Sequence, residues 1–183
     1  TTWTLGTMAL FRPRKGTEVL LDAIAELKQA GIRVEVRAVG PFESPDYESE
    51  IKKRVAELQI EDQIVWTGFQ SDVDEQLRKM DLFILPSLYG EGLPMVVLEA
   101  MANGIPVIAS DVEGIPEAIR NQVDGLIFKA GSSADLVERI RQILGDLETW
   151  KQMSQHARER QREQLSDRSM ARGVAKVYKK LLT

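Results

Sequence analysis

The sequence predicts an α/β fold in which a parallel β-sheet lies between two layers of helices. Short apolar runs that are typical of buried strands alternate with amphipathic stretches of helical spacing from one end of the chain to the other. This alternation implies right-handed β-α-β crossovers, and therefore parallel strands that are covered on both faces. Neither an internal repeat nor a low-complexity linker interrupts the pattern, so we expect residues 1–183 to form a single domain.

The strands are predicted from apolar runs that end at Gly, Pro or polar turns. We expect them at residues 3–10, 34–39, 64–67, 82–85, 105–109 and 125–128. The helices are predicted from apolar residues spaced three and four positions apart, and the first of them is ended by Gly31. We expect helices at residues 17–30, 47–58, 72–80 (capped by Ser71 or Asp72), directly after the Gly-rich turn at 90–92, and at 132–144 (capped by Ser132 or Ser133), 151–164 and 170–182.

The composition excludes several classes of protein. The 183 residues include no cysteine, which rules out disulfides, a cysteine nucleophile and cysteine-bound metal. The net charge of -4 gives no support for nucleic-acid binding, and no apolar run approaches the roughly 18 residues of a membrane span. No signal peptide is visible, so we expect a cytoplasmic location. Because the chain starts at Thr1 rather than Met, we interpret it as a piece of a longer protein.

The most specific pattern lies at residues 81–116, where a buried strand is followed by a Gly-rich turn, a helix and a second buried strand. The stretch from Glu91 reads EGLPMVVLEAMANGIPVIASDVEGIP. A helix that begins directly after a Gly-rich turn presents unpaired N–H groups and the positive end of its dipole to an anion. Glu91 lies in the turn and Glu99 about two helical turns later. The two carboxylates are thus placed to bind opposite ends of one extended polar ligand with a charged middle, such as a nucleoside diphosphate sugar.

Polar and glycine residues follow each of the first four predicted strands. These residues are Arg12, Arg14 and Lys15 after the first strand, Gly40 after the second, Gly68 and Phe69 after the third, and residues 87–94 after the fourth. Ligands of open parallel sheets bind at the carboxyl ends of the strands, near the point where the strand order reverses. Four separate signals therefore converge on one edge of the sheet.

The pattern around Glu91 resembles the donor-site signature of the retaining family-4 glycosyltransferases. The matching words are Pro86-Ser87, Glu91-Gly92, a run of LEAMA that contains Glu99, and Gly104-x-Pro-Val107. The resemblance covers roughly residues 5–143 and implies the C-terminal, Rossmann-like half of a GT-B enzyme. It also implies that the acceptor site lies mostly on an N-terminal domain that this chain does not include.

The resemblance assigns roles to individual residues. Glu91 is expected to bind hydroxyls of the transferred sugar near the reacting carbon, and Glu99 to bind the ribose hydroxyls. Lys15 and an arginine are expected to stabilise the leaving diphosphate, together with the backbone N–H groups of Gly92, Leu93 and Met95. Pro94, which has no N–H, is expected at the first helical position. The resemblance implies no obligatory metal ion and no other cofactor.

The chain departs from the family pattern at one position. Such enzymes usually have Gly-Arg five or six residues before the lysine, and here Ala9 and Leu10 stand in those places. Arg12 and Arg14 are the two candidates for the missing cation, and the sequence does not decide between them.

Several of these residues also have simpler interpretations. We expect Glu91 to be exposed in its turn and Glu99 to be buried, because its helix is apolar on most sides. Phe69 either borders the nucleotide base or packs on the core, so the base is left unpredicted. Asp72-Val-Asp74 is interpreted as a helix cap rather than a metal site, and His156 as a solvated side chain of a charged helix.

The sequence therefore predicts the donor-binding domain of a retaining transferase that moves a hexose from a nucleoside diphosphate sugar to an unidentified acceptor. We expect this piece alone to bind nucleotide without transferring sugar, and the helices at 151–164 and 170–182 to pack against the absent domain. Two alternatives stay open: half of another GT-B enzyme, such as an epimerase or phosphorylase, and a non-catalytic nucleotide-sugar-binding module. Peripheral association of the intact protein with the inner face of the membrane also stays open.

Overall fold

The computed structural model describes residues 2–182 and confirms the predicted α/β class. Six parallel strands form one sheet in the order β3-β2-β1-β4-β5-β6. The strands are β1 (Trp3–Met8), β2 (Val34–Val39), β3 (Ile64–Gly68), β4 (Leu82–Leu85), β5 (Val107–Ser110) and β6 (Gly125–Phe128). The helices are α1 (Thr17–Gln29), α2 (Pro45–Glu57), α3 (Val73–Leu77), α4 (Met95–Ala102), α5 (Ile115–Ala118), α6 (Ser133–Leu144), α7 (Leu147–Arg160) and α8 (Asp167–Leu181).

The helices divide into two layers because each face of the sheet carries its own apolar cluster. One cluster joins alternate strand residues such as Leu5 and Ile108 to α1, α2 and α6. The other joins Phe83 and Val107 to α3, α4 and α5, and to Ala157 of α7. The strand order reverses between β1 and β4, so the loops that follow these two strands lie side by side at the carboxyl edge.

Helix α7 differs from its prediction. It begins at Leu147, four residues earlier than predicted, because Asp146 caps it by accepting hydrogen bonds from Glu148 N and Thr149 N. Met153 and Ala157 are buried against the domain, so one side of α7 packs on this chain, and contact of its exposed side with another domain stays a prediction. A single turn of π-helix, Gln161–Leu165, follows it.

Helix α8 behaves as predicted for a helix without a partner in this chain. None of its residues is buried, although it is strongly amphipathic. Its exposed apolar side chains are Met170, Val174, Val177, Tyr178 and Leu181. Over residues 2–182, no helix combines the length and the hydropathy that crossing a membrane requires.

His156 is less solvated than its charged surroundings suggest. The side chain is half-buried on α7, and its Nδ1 lies 3.2 Å from the carbonyl oxygen of Val123. The residue therefore joins α7 to the loop before β6, far along the chain from the predicted site, and has a structural role.

Candidate functional site

The first and fourth loops of the carboxyl edge are in direct contact, as the convergence of signals predicts. Gly16 adopts a left-handed conformation with φ of 64°, and a Cβ atom at this position would lie 1.9 Å from the carbonyl oxygen of Pro86. Leu88 N donates a hydrogen bond of 2.8 Å to Arg14 O. Because Gly16 has no side chain, the turn that carries Lys15 can lie against the loop that carries Glu91.

Glu91 is buried, with 8% of its surface exposed, and the expectation of an exposed carboxylate is wrong. Its Oε1 atom accepts hydrogen bonds from Lys15 Nζ and from Ser87 Oγ, the latter at 2.5 Å. Arg14 Nη1 lies 3.9 Å from the same atom. Within residues 2–182, Oε2 of Glu91 forms no hydrogen bond, so this oxygen can accept one from a ligand hydroxyl.

The two candidate arginines have different surroundings. Arg14 Nη1 donates 2.8 Å and 3.4 Å hydrogen bonds to the carbonyl oxygens of Gly90 and Tyr89, and thereby stays beside Glu91. Arg12 instead pairs with Glu43 at 3.1 Å, on the side of the loop after β2. Of the two, Arg14 is therefore the cation that the structure brings to Glu91 and Lys15.

The start of α4 provides unpaired hydrogen-bond donors. Pro94 has an extended conformation and is the N-cap of the helix, one position before the predicted one, and its carbonyl oxygen accepts from Val97 N at 3.0 Å. The N–H groups of Gly92, Leu93, Met95 and Val96 make no hydrogen bond with any group between residues 2 and 182. Leu93 and Met95 are exposed, so the start of α4 lies at the surface.

Glu99 lies on the rim of the site and not in the core. The side chain is half-exposed, which corrects the expectation of a fully buried carboxylate. Partial burial, and the nearby carboxylate of Asp74, raise the pKa of the Glu99 carboxyl. No hydrogen bond to this carboxylate is formed by residues 2–182, so it is an unpartnered acceptor a little over one helical turn from the N-terminus of α4.

The loops after β2 and β3 contribute less to the site. Gly40 N donates to Gly68 O at 2.8 Å, and a Cβ atom on Gly40 would lie 1.9 Å from Ala9 O, so its glycine is required by close backbone contact. Phe69 is 76% exposed and therefore does not pack on the core. Asp72 caps α3 by accepting a 2.8 Å hydrogen bond from Glu75 N, as predicted. Groups of three or more His, Cys, Asp or Glu side chains that could hold a metal ion do not occur in the described chain.

Glu113 enters the site although no sequence pattern indicates it. Its Oε1 accepts a 3.1 Å hydrogen bond from Gly90 N, and its Oε2 accepts one of 3.1 Å from Glu91 N. These two N–H groups, with the charge of Arg14, lower the pKa of the Glu113 carboxyl. A second unpredicted contact is the 2.6 Å hydrogen bond from Ser110 Oγ to Ser87 O. Both contacts join residues more than twenty positions apart, and so depend on the tertiary fold.

Comparison with known proteins places these features in a family. The family model described as glycosyl transferases group 1 matches residues 1–160. The lipopolysaccharide core biosynthesis mannosyltransferase LpsB of Rhizobium meliloti (strain 1021) is 30% identical over 184 residues, which cover 97% of this chain and 52% of LpsB. Crystal structures of Anabaena HepE with UDP and with UDP-glucose have TM-scores of 0.90 and 0.88 at 24% and 23% identity. Each comparison covers 98% of this chain and 49% of HepE. The chain thus spans about half the length of these proteins.

Proposed function

Because the chain belongs to the group 1 glycosyl transferases, we propose that it is the donor-binding domain of a retaining transferase that moves a hexose from a nucleoside diphosphate sugar. The arrangement of Glu91 supports this most directly. One carboxylate oxygen is held by Lys15 and Ser87, while the other is free to accept a hydrogen bond from a sugar hydroxyl. The name of LpsB, a mannosyltransferase, supports a hexose as the transferred group.

The diphosphate would lie over the start of α4. The N–H groups of Gly92, Leu93, Met95 and Val96 have no other partner in the described chain, and the dipole of α4 favours negative charge at this end. Lys15 and Arg14 add two positive charges beside Glu91. At the far end, the unpartnered carboxylate of Glu99 would accept hydrogen bonds from the ribose hydroxyls.

These groups suit the departure of a diphosphate. In the transfer, the bond between the anomeric carbon and the diphosphate oxygen breaks, and the diphosphate leaves with the electron pair. An acceptor oxygen forms the new bond on the same face of the sugar, and its proton passes to the leaving phosphate. Fixed donors and cations stabilise the charge that develops on the diphosphate. We therefore propose that this site needs no metal ion or other cofactor, and we expect full activity of the intact protein in the presence of EDTA.

The rest of the reaction requires a second half. We propose that an N-terminal domain of the same protein supplies the acceptor site, and that this chain alone binds the donor without transferring sugar. The exposed apolar face of α8 supports a neighbouring domain, since a surface of this kind is typical of an interface. A cytoplasmic location, with or without peripheral membrane association, stays a prediction.

Calorimetric titration of this chain with UDP, GDP and ADP tests the proposal. We expect one diphosphate to bind, and Glu99→Ala to weaken its binding by about tenfold or more, because hydrogen bonds between the carboxylate and the ribose are lost. Glu138→Ala, on the exposed face of α6, is the matched control and should bind as the unaltered chain does. Absence of binding at millimolar concentration to both this chain and the intact protein would contradict the proposal, as would normal binding by Glu99→Ala.

A further inference from the structure

Glu113 holds the peptide groups that carry Glu91. It accepts one hydrogen bond from Gly90 N and one from Glu91 N, each 3.1 Å long and each to a different carboxylate oxygen. The next residue, Gly114, donates from its N–H to Glu91 O at 3.3 Å. The backbone of Glu91 is therefore bound on both its N–H and its C=O side by two consecutive residues of the loop between β5 and α5.

The backbone of Glu113 is itself unusual. Its φ of 29° lies in the left-handed region, where side chains other than glycine are strained. Only two other residues besides glycines, Gln59 and Gln122, have positive φ between residues 2 and 182. Strained backbone of this kind persists where the surrounding structure fixes it, and is concentrated at functional sites. At Glu113 the strain directs the carboxylate onto the two N–H groups.

We propose that Glu113 is a positioning residue for the donor sugar. By fixing the Gly90–Glu91 peptide, it fixes the direction in which the Glu91 side chain leaves the loop, so that Oε1 reaches Lys15 and Ser87 and Oε2 faces the ligand. Arg14 lies between these groups, donating to Gly90 O and attracting Glu113 electrostatically. This inference rests on the proposed function, because it assumes that Glu91 contacts the sugar.

Glu113→Gly is the informative variant. Glycine accepts the positive φ without strain, so the fold is retained while the two hydrogen bonds are lost. Gln59→Gly is its matched control, because Gln59 has a φ of 56° and an exposed side chain after α2, away from the site. Glu113→Gln is an intermediate between the unaltered chain and Glu113→Gly. Its amide has only one acceptor oxygen and can retain one of the two hydrogen bonds.

The first measurement is amide hydrogen exchange by NMR, which needs no ligand. We expect the Gly90 and Glu91 amides to exchange at least about tenfold faster in Glu113→Gly than in the unaltered chain, because each loses a hydrogen bond to a charged acceptor. Their exchange should be unchanged in Gln59→Gly. Equal exchange in Glu113→Gly and the unaltered chain would overturn the inference, whether or not any nucleotide binds.

The second measurement compares UDP with UDP-glucose, and GDP with GDP-mannose if the chain prefers guanine. A positioning role predicts that Glu113→Gly weakens binding of the nucleotide sugar about tenfold more than binding of the nucleoside diphosphate, with Glu113→Gln between the two. If binding of both ligands is weakened equally, the cause is a general loss of structure and the inference is overturned. Tighter binding of the diphosphate would also overturn it, since Glu113 would then compete with the phosphates. If neither the unaltered chain nor the intact protein binds nucleotide, the proposed function fails, and hydrogen exchange then tests only whether Glu113 holds the Gly90–Glu91 peptide.

Discussion

Replacing Gly16 with alanine tests the contact between the two loops that form the site. The added Cβ atom would lie 1.9 Å from Pro86 O, about 1.5 Å closer than ordinary van der Waals contact. Separation of the loops by that amount breaks the hydrogen bond from Leu88 N to Arg14 O, which is worth about 1 kcal/mol. It also moves Lys15 away from the buried Glu91 carboxylate, at a cost of about 1–3 kcal/mol, and the left-handed conformation costs about 1 kcal/mol more.

We therefore expect Gly16→Ala to lower the free energy of unfolding by about 3–5 kcal/mol, measured by guanidinium denaturation. Gly31→Ala is the matched control, because Gly31 has a similar φ of 76° but no atom within 4 Å of the added Cβ. This control should lose only the conformational term of about 1 kcal/mol. If the two variants differ by less than about 1 kcal/mol, the loops are not held together by this contact and the reasoning is refuted.

Three further predictions concern other parts of the chain. By ¹³C NMR titration, the pKa of Glu99 should lie above the ordinary value of 4.5 and the pKa of Glu113 below it. The stability gained from Glu113 is therefore lost as pH falls through its lowered pKa, whereas protonation of Glu99 favours the folded state. Coinciding titrations would contradict this assignment. Asp124→Ala should cost about 3 kcal/mol in chemical denaturation, because the fully buried carboxylate accepts from Arg120 N at 2.6 Å and lies 3.7 Å from Arg160 Nε; a loss below 1 kcal/mol would refute the role of this cluster. Removal of residues 167–183 should change the unfolding free energy of the remaining domain by less than about 0.5 kcal/mol, whereas Met153→Ala on the buried face of α7 should cost about 2–5 kcal/mol.

The order of the strands and of every helix except the four-residue α5 could be predicted because it depends on local patterns. Apolar runs such as residues 82–85 and the helical spacing of residues 17–30 each identify an element without knowledge of its neighbours. The same local reasoning missed the start of α7 and its buried side, where Met153 and Ala157 pack on the domain and polar side chains such as Arg160 hydrogen-bond to it. A sparse apolar face is difficult to distinguish from a solvated one by composition alone.

The site was predicted less completely because its geometry depends on contacts between distant loops. The turn chemistry around Glu91 indicated an exposed carboxylate, but Lys15 and Ser87 cover it only after β1 and β4 have become neighbours. The two hydrogen bonds of Glu113 join it to residues 23 and 22 positions earlier in the sequence. They also require a positive φ that glutamate seldom adopts. The choice between Arg12 and Arg14 likewise required knowledge of Glu43, which draws Arg12 away.

Helix α8 buries none of its residues, and this has a consequence for the order of the segment. A helix that contributes no residue to the core is stabilised mainly by its own sequence, and an isolated helix of 15 residues is marginal in water. Gly173, in its interior, lowers that helical tendency by about another 1 kcal/mol. Contact with an apolar surface would therefore order the segment as it binds, and part of the association free energy would be spent on helix formation. Circular dichroism of Gly173→Ala measures this directly, since greater helicity without a change in the unfolding midpoint of the domain would identify α8 as a separate equilibrium.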